Sequence, residues 1–356
     1  VYMLQGRLRA ARSLYEQALD LAVDDKGAPL PIAGMALIGL GELARERDEL
    51  DQARRLLDEG LERTMQWGEL GALDGYIVLA RLRQAQNDLH GLEEAMANAV
   101  QFARRFDATD LDDRFVEAHQ ARIWAMQGQF SKAAQWVETH GLALECMAAD
   151  PGDTKKDSFR YPFRYLRDIE CSVLARLLIG QNRPRDGLAI LERLASPIEQ
   201  EGRWGGVIEI HILRALALRA MGDTPQAGSA LERALSLAGP EGYVRIFADE
   251  GEPVADLLRQ AAARGVAPEY VGQLLAAIRT EESPPPSDVP RLVEPLSERE
   301  LQVLRLIVAG LSNQQIAEEL VLAVSTIKWH INNLYSKLGV CSRTQAIARA
   351  RELDLL

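Results

Sequence analysis

The sequence predicts an all-α protein in which a long array of helix pairs precedes a small helical domain of about sixty residues. Three observations predict this organisation: a turn-plus-helix unit that recurs along most of the chain, a proline-rich break, and a run of capped amphipathic helices at the end. The predicted boundaries are 1–280 for the repeats, 281–294 for the linker and 295–356 for the terminal domain.

The recurring unit opens with a turn and continues with a helix that carries a small residue, usually Ala or Gly, near its start. Corresponding positions in six units are Leu8, Leu50, Leu89, Phe130, Pro184 and Thr224. Their spacings are 42, 39, 41, 54 and 40 residues, which establishes a period near forty. Because one helix pair cannot bury both of its faces, we expect stacked pairs to form a continuous core in a curved solenoid.

The interval of 54 residues exceeds the period by about fourteen residues, and the excess lies around residues 150–165. Aromatic and arginine side chains cluster there, and insertions in repeat arrays often mark the binding face. We therefore predict an effector or partner site on the concave surface, for a small-molecule inducer or an inhibitory protein. The predicted site residues are Tyr76, Arg122, Trp124, Arg160, Arg164 and Trp204. The alternative, that these rings are ordinary packing between repeats, stays open.

The linker contains three consecutive prolines among acidic and serine residues, within 281–290. Such a segment cannot continue a helix and favours extended polyproline geometry. The terminal domain can therefore be held away from the repeats or folded back onto them.

The terminal domain begins with a capping box, in which Ser297 is followed three residues later by Glu300. We expect a helix to start at Glu298. A second box, Ser312 with Gln315, predicts a second helix after a tight turn. A third helix follows a short connection, and a fourth opens near residue 343.

The third helix is predicted to be amphipathic. At about 100° per residue, Ile327, Ile331, Leu334 and Leu338 form one apolar stripe. The polar side and its flanks carry Ser325, Lys328, Trp329, Asn332, Asn333 and Ser336. A helix with such an outer face, crossed by a short helix behind it, is typical of proteins that read the major groove. Lysine can reach guanine acceptors, asparagine can pair with adenine, and an apolar ring can meet a thymine methyl group.

The terminal domain resembles the LuxR/GerE-type helix-turn-helix of MalT-like transcriptional regulators. The resemblance rests on the motifs LSERE at 296–300, GLSNQQIA at 310–317, TIKWH at 326–330 and NLYSKLGV at 333–340. The repeats in turn resemble tetratricopeptide repeats, stretched beyond their usual length. The implied fold is an all-α, tetratricopeptide-like α-solenoid of helix hairpins followed by a small four-helix LuxR-type domain.

The resemblance also assigns residue roles. The predicted DNA-binding residues are Asn313, Gln314, Ser325, Thr326, Lys328, Trp329, Asn332, Asn333, Lys337 and Arg343. A twofold dimer on DNA would use the last helix, with Ile347 and Ala350 as candidate contacts, although packing within the domain is the alternative for both. Double-stranded operator DNA, a second copy of the active protein and RNA polymerase are the implied partners.

Charge separates the two parts of the chain. From residue 291 onward eight basic residues oppose seven acidic ones, a net charge of +1, which leaves −12 upstream from the chain's total of −11. Because affinity for DNA rests largely on neutralised phosphates, we expect one nearly neutral head to bind weakly and paired heads to be needed.

Several function classes are disfavoured. The sequence has no Gly-Lys dipeptide for a phosphate-binding loop, its five histidines lack zinc spacing, and its three cysteines form no C-x-x-C pair. We therefore predict no catalytic residue, metal or cofactor in this chain, no membrane association, and a cytoplasmic location. The start at Val1 suggests part of a longer protein, and the resemblance implies an ATP-binding domain before it.

The leading hypothesis is a transcriptional regulator, an activator by resemblance, whose repeats sense an effector and whose head reads operator DNA. The alternative is a repeat scaffold whose head makes protein contacts only. A head similar to the promoter-recognition region of sigma factors is disfavoured by the solenoid.

Overall fold

The computed structural model describes residues 5–27, 29–66, 71–105, 110–143, 163–282, 298–309 and 311–320, together with five single positions further on. Those positions are Ile327, Ile331, Leu334, Ala346 and Ala350. The described residues form helices and no strand, apart from one isolated bridge between Val23 and Pro29. The predicted all-α fold class is confirmed. None of the described helices is long and apolar enough to cross a membrane.

The chain divides into two compact units, residues 1–283 and 284–356. The described helices of the first unit are α1 (Leu8–Leu21), α2 (Ala33–Glu46), α3 (Leu50–Gln66), α4 (Ala72–Ala85), α5 (Leu89–Arg105), α6 (Asp110–Met126), α7 (Phe130–Thr139), α8 (Phe163–Gly180), α9 (Pro184–Gln200), α10 (Trp204–Ala220), α11 (Thr224–Ala238), α12 (Arg245–Ala248), α13 (Glu252–Ala263) and α14 (Pro268–Glu282). Helix α14 continues two residues beyond the predicted end of the repeats at 280.

The repeat turns share one backbone conformation. Each of the six predicted landmark residues is the first residue of a helix, and the residue two positions before it has a left-handed φ between 56° and 82°. These left-handed residues are Gly6, Asp48, Asn87, Gly128, Asn182 and Gly222. In the turn before α11, the Asp223 N–H donates to the Leu218 carbonyl at 2.9 Å, which is the closing bond of a Schellman motif. Glycine, asparagine and aspartate recur here because they tolerate this conformation best.

Small residues three positions into these helices let the paired helices approach closely. Ala53, Ala133 and Ala227 are completely buried, and Ala11 is nearly so. At Gly187 an added Cβ would lie 3.1 Å from the Ala175 carbonyl of the preceding helix, so a larger side chain would force the pair apart. A small residue at this position therefore sets the spacing of the pairs in which it occurs, whereas α5 has Leu92 there.

The first repeat contacts the last repeats. Leu8 and Leu43 belong to the same buried apolar cluster as Ile212, Leu231 and Phe247. Stacking alone joins only neighbouring repeats, so this contact is an additional feature. The array closes on itself within the first unit.

The second unit contains two helices with described bounds, α15 (Glu298–Val308) and α16 (Asn313–Glu319). Helix α15 starts at the predicted residue. At the start of α16 the Gln315 N–H donates to the Ser312 hydroxyl at 3.3 Å, and the Ser312 N–H donates to the Gln315 side-chain oxygen at 2.8 Å. The predicted capping box is confirmed.

A small core holds the second unit together. Its buried residues are Val303, Leu304, Ile307, Ile316, Ala317, Ile327, Ile331, Leu334, Ala346 and Ala350. In α15, Val303 and Leu304 are completely buried, whereas Leu301 is half-buried.

We expect Gly222→Ala to lower the free energy of unfolding by about 1–2 kcal/mol, because alanine is strained in the left-handed conformation. Gly222 has a φ of 82° and open space around it, so the effect isolates the backbone. Gly272→Ala is the control: this helical glycine also faces open space, and alanine should stabilise the helix by up to about 1 kcal/mol. Urea unfolding of both variants measures the difference. If both substitutions changed the free energy of unfolding equally and in the same direction, the assigned role of the left-handed turn residue would be contradicted.

Candidate nucleic-acid interface and effector cavity

The predicted DNA-binding residues that can be described lie at the start of α16. Asn313 is half-buried and Gln314 is exposed, directly after the capping box. Their position is fixed by the cap and by the packing of Ile316 and Ala317 against the core. Both side chains are thus held on a short, well-anchored helix.

The predicted recognition helix is anchored by its apolar stripe. Ile327, Ile331 and Leu334 are helical and buried in the core of the second unit, at the positions that the stripe predicts. This agreement sets which side of the helix points to the core. The other predicted DNA-binding residues lie outside the described residues: Ser325, Thr326, Lys328, Trp329, Asn332, Asn333, Lys337 and Arg343.

Of the two predicted dimer contacts, the structure describes Ala350. Ala350 is completely buried in the core of the second unit, which favours the alternative of packing within the domain for this residue. Ile347 lies outside the described residues.

A polar cavity of about 130 Å³ lies on the inner side of the repeats. Five successive inner helices, α2, α4, α6, α8 and α10, contribute Glu42, Arg81, Arg122, Tyr165 and Glu209 to its lining. These residues are about forty positions apart, so the repeat period itself brings them together. The concave surface therefore carries charged and hydroxyl groups around one small space.

The charges in the cavity are paired across helices. Arg81 contacts Glu42 at 3.4 Å and Arg122 contacts Glu209 at 3.3 Å, and Arg203 pairs with Asp168. Burial raises the pKa of the nearby Tyr165 phenol to about 12, so this hydroxyl group is protonated and neutral at pH 7. The cavity thus presents neutral hydroxyl groups and compensated ions, which suits a small polar molecule.

The predicted effector residues divide between this cavity and the packing between helices. Arg122 lines the cavity. Tyr76 packs with its ring centroid 6.2 Å from that of Phe102, and the Trp124 ring lies 5.8 Å from the Lys132 ammonium. Trp204 is partly buried against the main core.

For the three aromatic residues the structure therefore favours the alternative of packing between repeats. They do not line the polar cavity, because their rings fill the junctions between helices. The side chains of Arg160 and Arg164 lie outside the described residues. Of the aromatic cluster in the insertion, Tyr165 reaches the cavity.

A buried ionic clasp joins the two ends of the array. We use this name for the contacts of α2 and its following turn with the closing segment, residues 243–251. Asp249 pairs with Arg45 and, at 2.6 Å, with Arg245, which also contacts Asp48 at 3.2 Å. The Ile246 N–H donates to the Glu46 carboxylate at 2.8 Å. About 200 residues of chain separate the two sides of the clasp.

A chain of ion pairs connects the clasp region to the cavity. Glu209, which pairs with Arg122 in the cavity, also contacts Arg176 at 2.8 Å, and Arg176 pairs in turn with Glu250 of the closing segment. A buried charge is costly unless its partners are in place. A change at Arg122 would therefore affect the ion pairs of Glu209, Arg176 and Glu250 as well.

The carboxylates in these networks have shifted pKa values. Burial by itself raises the pKa of Glu209, but the adjacent Arg122 and Arg176 outweigh it and lower the value to about 2. Burial also acts against ionised Asp249, and the guanidinium groups of Arg45 and Arg245 again lower its pKa overall. Both carboxylates are therefore ionised at neutral pH.

Sequence reasoning missed the clasp, although one signal was present. Helix α2 is apolar over most of its length and ends in Arg45 and Glu46, and α8 carries Arg176 inside a run of Leu and Ala. Charged residues in such apolar stretches must be paired when buried. Their partners could not be identified, because they lie far away in the sequence.

Comparison with known proteins agrees with this architecture. Residues 1–264 match the family model described as the MalT-like TPR region, and residues 294–350 match that of bacterial regulatory proteins of the luxR family. The first match covers well over half of the chain. The chain belongs to the MalT-like family of LuxR-type regulatory proteins.

Relatives in this family are similar along the whole chain. The protein is 26% identical to an HTH-type transcriptional regulator MalT from Serratia proteamaculans, 27% identical to one from Yersinia enterocolitica and 28% identical to one from Klebsiella pneumoniae. Each alignment covers 99% of this chain and 40% of the relative. The chain thus spans less than half the length of the relatives that it matches.

We expect Asp249→Asn to lower the free energy of unfolding by about 3–5 kcal/mol, because it leaves Arg45 and Arg245 buried without their shared carboxylate. Asp256→Asn is the control. Its side chain is 40% exposed and pairs with Arg219 and Arg259, so the loss should stay below about 1 kcal/mol. Urea unfolding of both variants tests this; similar small losses would contradict the role of the clasp.

The pKa of Glu209 predicts a response to acid. A carboxylate whose folded pKa is about 2, below its ordinary 4.5, contributes stability that is present above pH 4.5 and lost as the pH falls toward 2. We expect Glu209→Gln to be less stable at pH 7 by about 3 kcal/mol and to show a flatter pH dependence between these values. The exposed Glu192→Gln is the control and should follow the wild type. Parallel pH profiles for all three proteins would refute the assignment.

Proposed function

We propose that this chain is the sensing and DNA-binding part of a transcriptional regulator, most simply an activator. The observation that carries the proposal is the second unit, in which a capped α16 and the buried stripe of the third helix agree with the match to LuxR-type regulatory proteins. The relatives over the whole chain are HTH-type transcriptional regulators. A location in the cytoplasm, where operator DNA is accessible, is part of this proposal.

In this proposal Lys328, Trp329 and Asn332 contact base edges in the major groove. When residues advance by about 100°, Trp329 and Asn332 lie on the side of the helix opposite Ile327, and Lys328 flanks that side. Lysine, asparagine and an aromatic ring supply the groups that recognise guanine, adenine and the thymine methyl. Asn313 and Gln314 would contact the adjacent backbone.

The regulator would act as an assembly of several copies. The net charge of +1 on the terminal residues gives a single head little affinity for phosphates. Two heads on neighbouring half-sites would add their contacts, since linked binding raises the effective concentration of the second head. Contact with RNA polymerase would follow once the assembly is on DNA.

The effector would bind in the polar cavity. A small polar molecule beside Arg122 would compete with Glu209 for hydrogen bonds, and the next pairs in the chain reach Arg176 and Glu250 of the closing segment. Ligand binding in the cavity would thus change the ion pairs that reach the closing segment. An inhibitory protein that covers the same concave surface would stabilise the arrangement without ligand.

Lys328→Glu tests the DNA-binding proposal. Wild-type protein first selects duplexes from a random-sequence library, and gel-shift titration then compares the variants on the selected DNA. We expect Lys328→Glu to weaken binding by at least about tenfold, because one base contact is lost and a repulsive charge is added near phosphates.

Lys26→Glu is the matched control, since it makes the same charge change at an exposed turn of the repeats. It should bind the selected DNA like the wild type. Equal retention of all three proteins, or no selection of DNA by the wild type, would favour a scaffold whose head contacts proteins only.

A further inference from the structure

A second recess lies at the first repeat, between α1, α2 and the start of α4. Its volume is about 620 Å³, within the usual range for small-molecule sites. Its walls are formed mainly by apolar side chains, among them Leu21, Leu30, Ile32, Met35 and Val78. We call it the apolar groove.

The apolar groove coincides with an exposed hydrophobic surface. Six of the nine large apolar side chains that are exposed among the described residues fall within residues 14–35. Four of them line the groove, and Leu21 is 83% exposed. Apolar surface concentrated in this way usually marks a binding site.

The carboxylates at one end of the groove favour a positively charged ligand. Glu42 and Asp74 both line it beside the Tyr15 phenol, and no Lys, Arg or His is among its described lining residues. Burial raises the pKa of Tyr15 to about 12, and the two carboxylates add to the shift, so all three groups share one electrostatic environment. An incoming cation would be favoured there and an anion disfavoured.

Two glycines let wall side chains of the groove pack directly against the backbone. The Tyr15 ring lies against Gly39 of α2, where an added Cβ would overlap with the ring atoms. Gly71, which caps α4 with a φ of 90°, lies against Met35, whose Cγ would be 3.2 Å from an added Cβ. The groove is therefore a formed recess with a fixed ring and one adaptable methionine.

We propose that the apolar groove binds a small molecule with an apolar body and a protonated amine. The apolar walls would cover the body, while Asp74 and Glu42 would hold the ammonium group. A small ligand fits the volume, and the carboxylates select its charge. This site is separate from the effector cavity, but Glu42 lines both, so an ammonium group on Glu42 would weaken its contact with Arg81 at 3.4 Å.

The test compares three probes of the same shape, phenylbutylamine, phenylbutanol and phenylbutyrate, on the full chain by saturation-transfer NMR and calorimetry. We expect the amine to bind about tenfold more tightly than the alcohol and the acid not to bind. Asp74→Asn should reduce the preference of the amine over the alcohol to about threefold or less.

Met35→Lys should abolish binding of the amine, because it places a second cation in the groove. Met65→Lys is the matched control, since both methionines are 41% exposed and Met65 does not line the groove. Circular dichroism confirms that each variant is folded.

Equal binding of all three probes, no binding of the amine, or unchanged binding in a folded Met35→Lys variant would overturn the proposal. Sedimentation velocity adds one further outcome. If Met35→Lys, but not Met65→Lys, dissociates a wild-type oligomer, then the groove is an interface between copies of this chain and the proposed ligand is wrong.

Discussion

One buried carboxylate, that of Asp249, lies between the guanidinium groups of Arg45 and Arg245 and joins the start of the repeat array to its end. A stack of helix pairs has no intrinsic reason to close, because each repeat packs on its neighbours alone. Closure brings α2 opposite the closing segment and completes the wall of the polar cavity, where Tyr243 and Ile246 face the inner helices. The cavity therefore exists as a bounded space because the clasp and the shared apolar cluster hold the two ends together.

The ionic contacts between the two ends act differently from the apolar packing that also joins them. A buried ion pair contributes little net stability when complete, but it is strongly destabilising when one partner is lost. The clasp and the pairs around Glu209 consequently favour one arrangement of the ends over all partly paired arrangements. An effector that binds better when these pairs are complete, or better when they are broken, would shift the balance between the two arrangements by the difference in its affinity for them. The proposed sensing function rests on this property.

Local features could be predicted from the sequence because they depend on neighbouring residues. The turns of the repeats, the starts of the second helices of the pairs, the Ser312 capping box and the stripe at Ile327 and Ile331 all follow from short-range rules, and all agree with the structure. Closure and the clasp could not be predicted, because Arg45 and Asp249 are 204 positions apart and leave no periodic signal. The aromatic residues were assigned to the concave surface on composition, but Tyr76, Trp124 and Trp204 pack between helices, since residue type does not reveal which face of a helix is inward. Arg122, which was predicted on the same grounds, lines the cavity at the repeat period of the inner helices, and its role in binding an effector stays a prediction.

Native-state hydrogen exchange tests closure most directly, because it measures the free energy of opening for each helix in the intact chain. If the clasp makes the two ends one cooperative unit, the amides of α1 and α2 will open with the same free energy, and the same denaturant dependence, as those of α12 and α13. If the first repeat instead frays at a much lower free energy while the last repeats stay protected, then the array is an open stack and the account is contradicted.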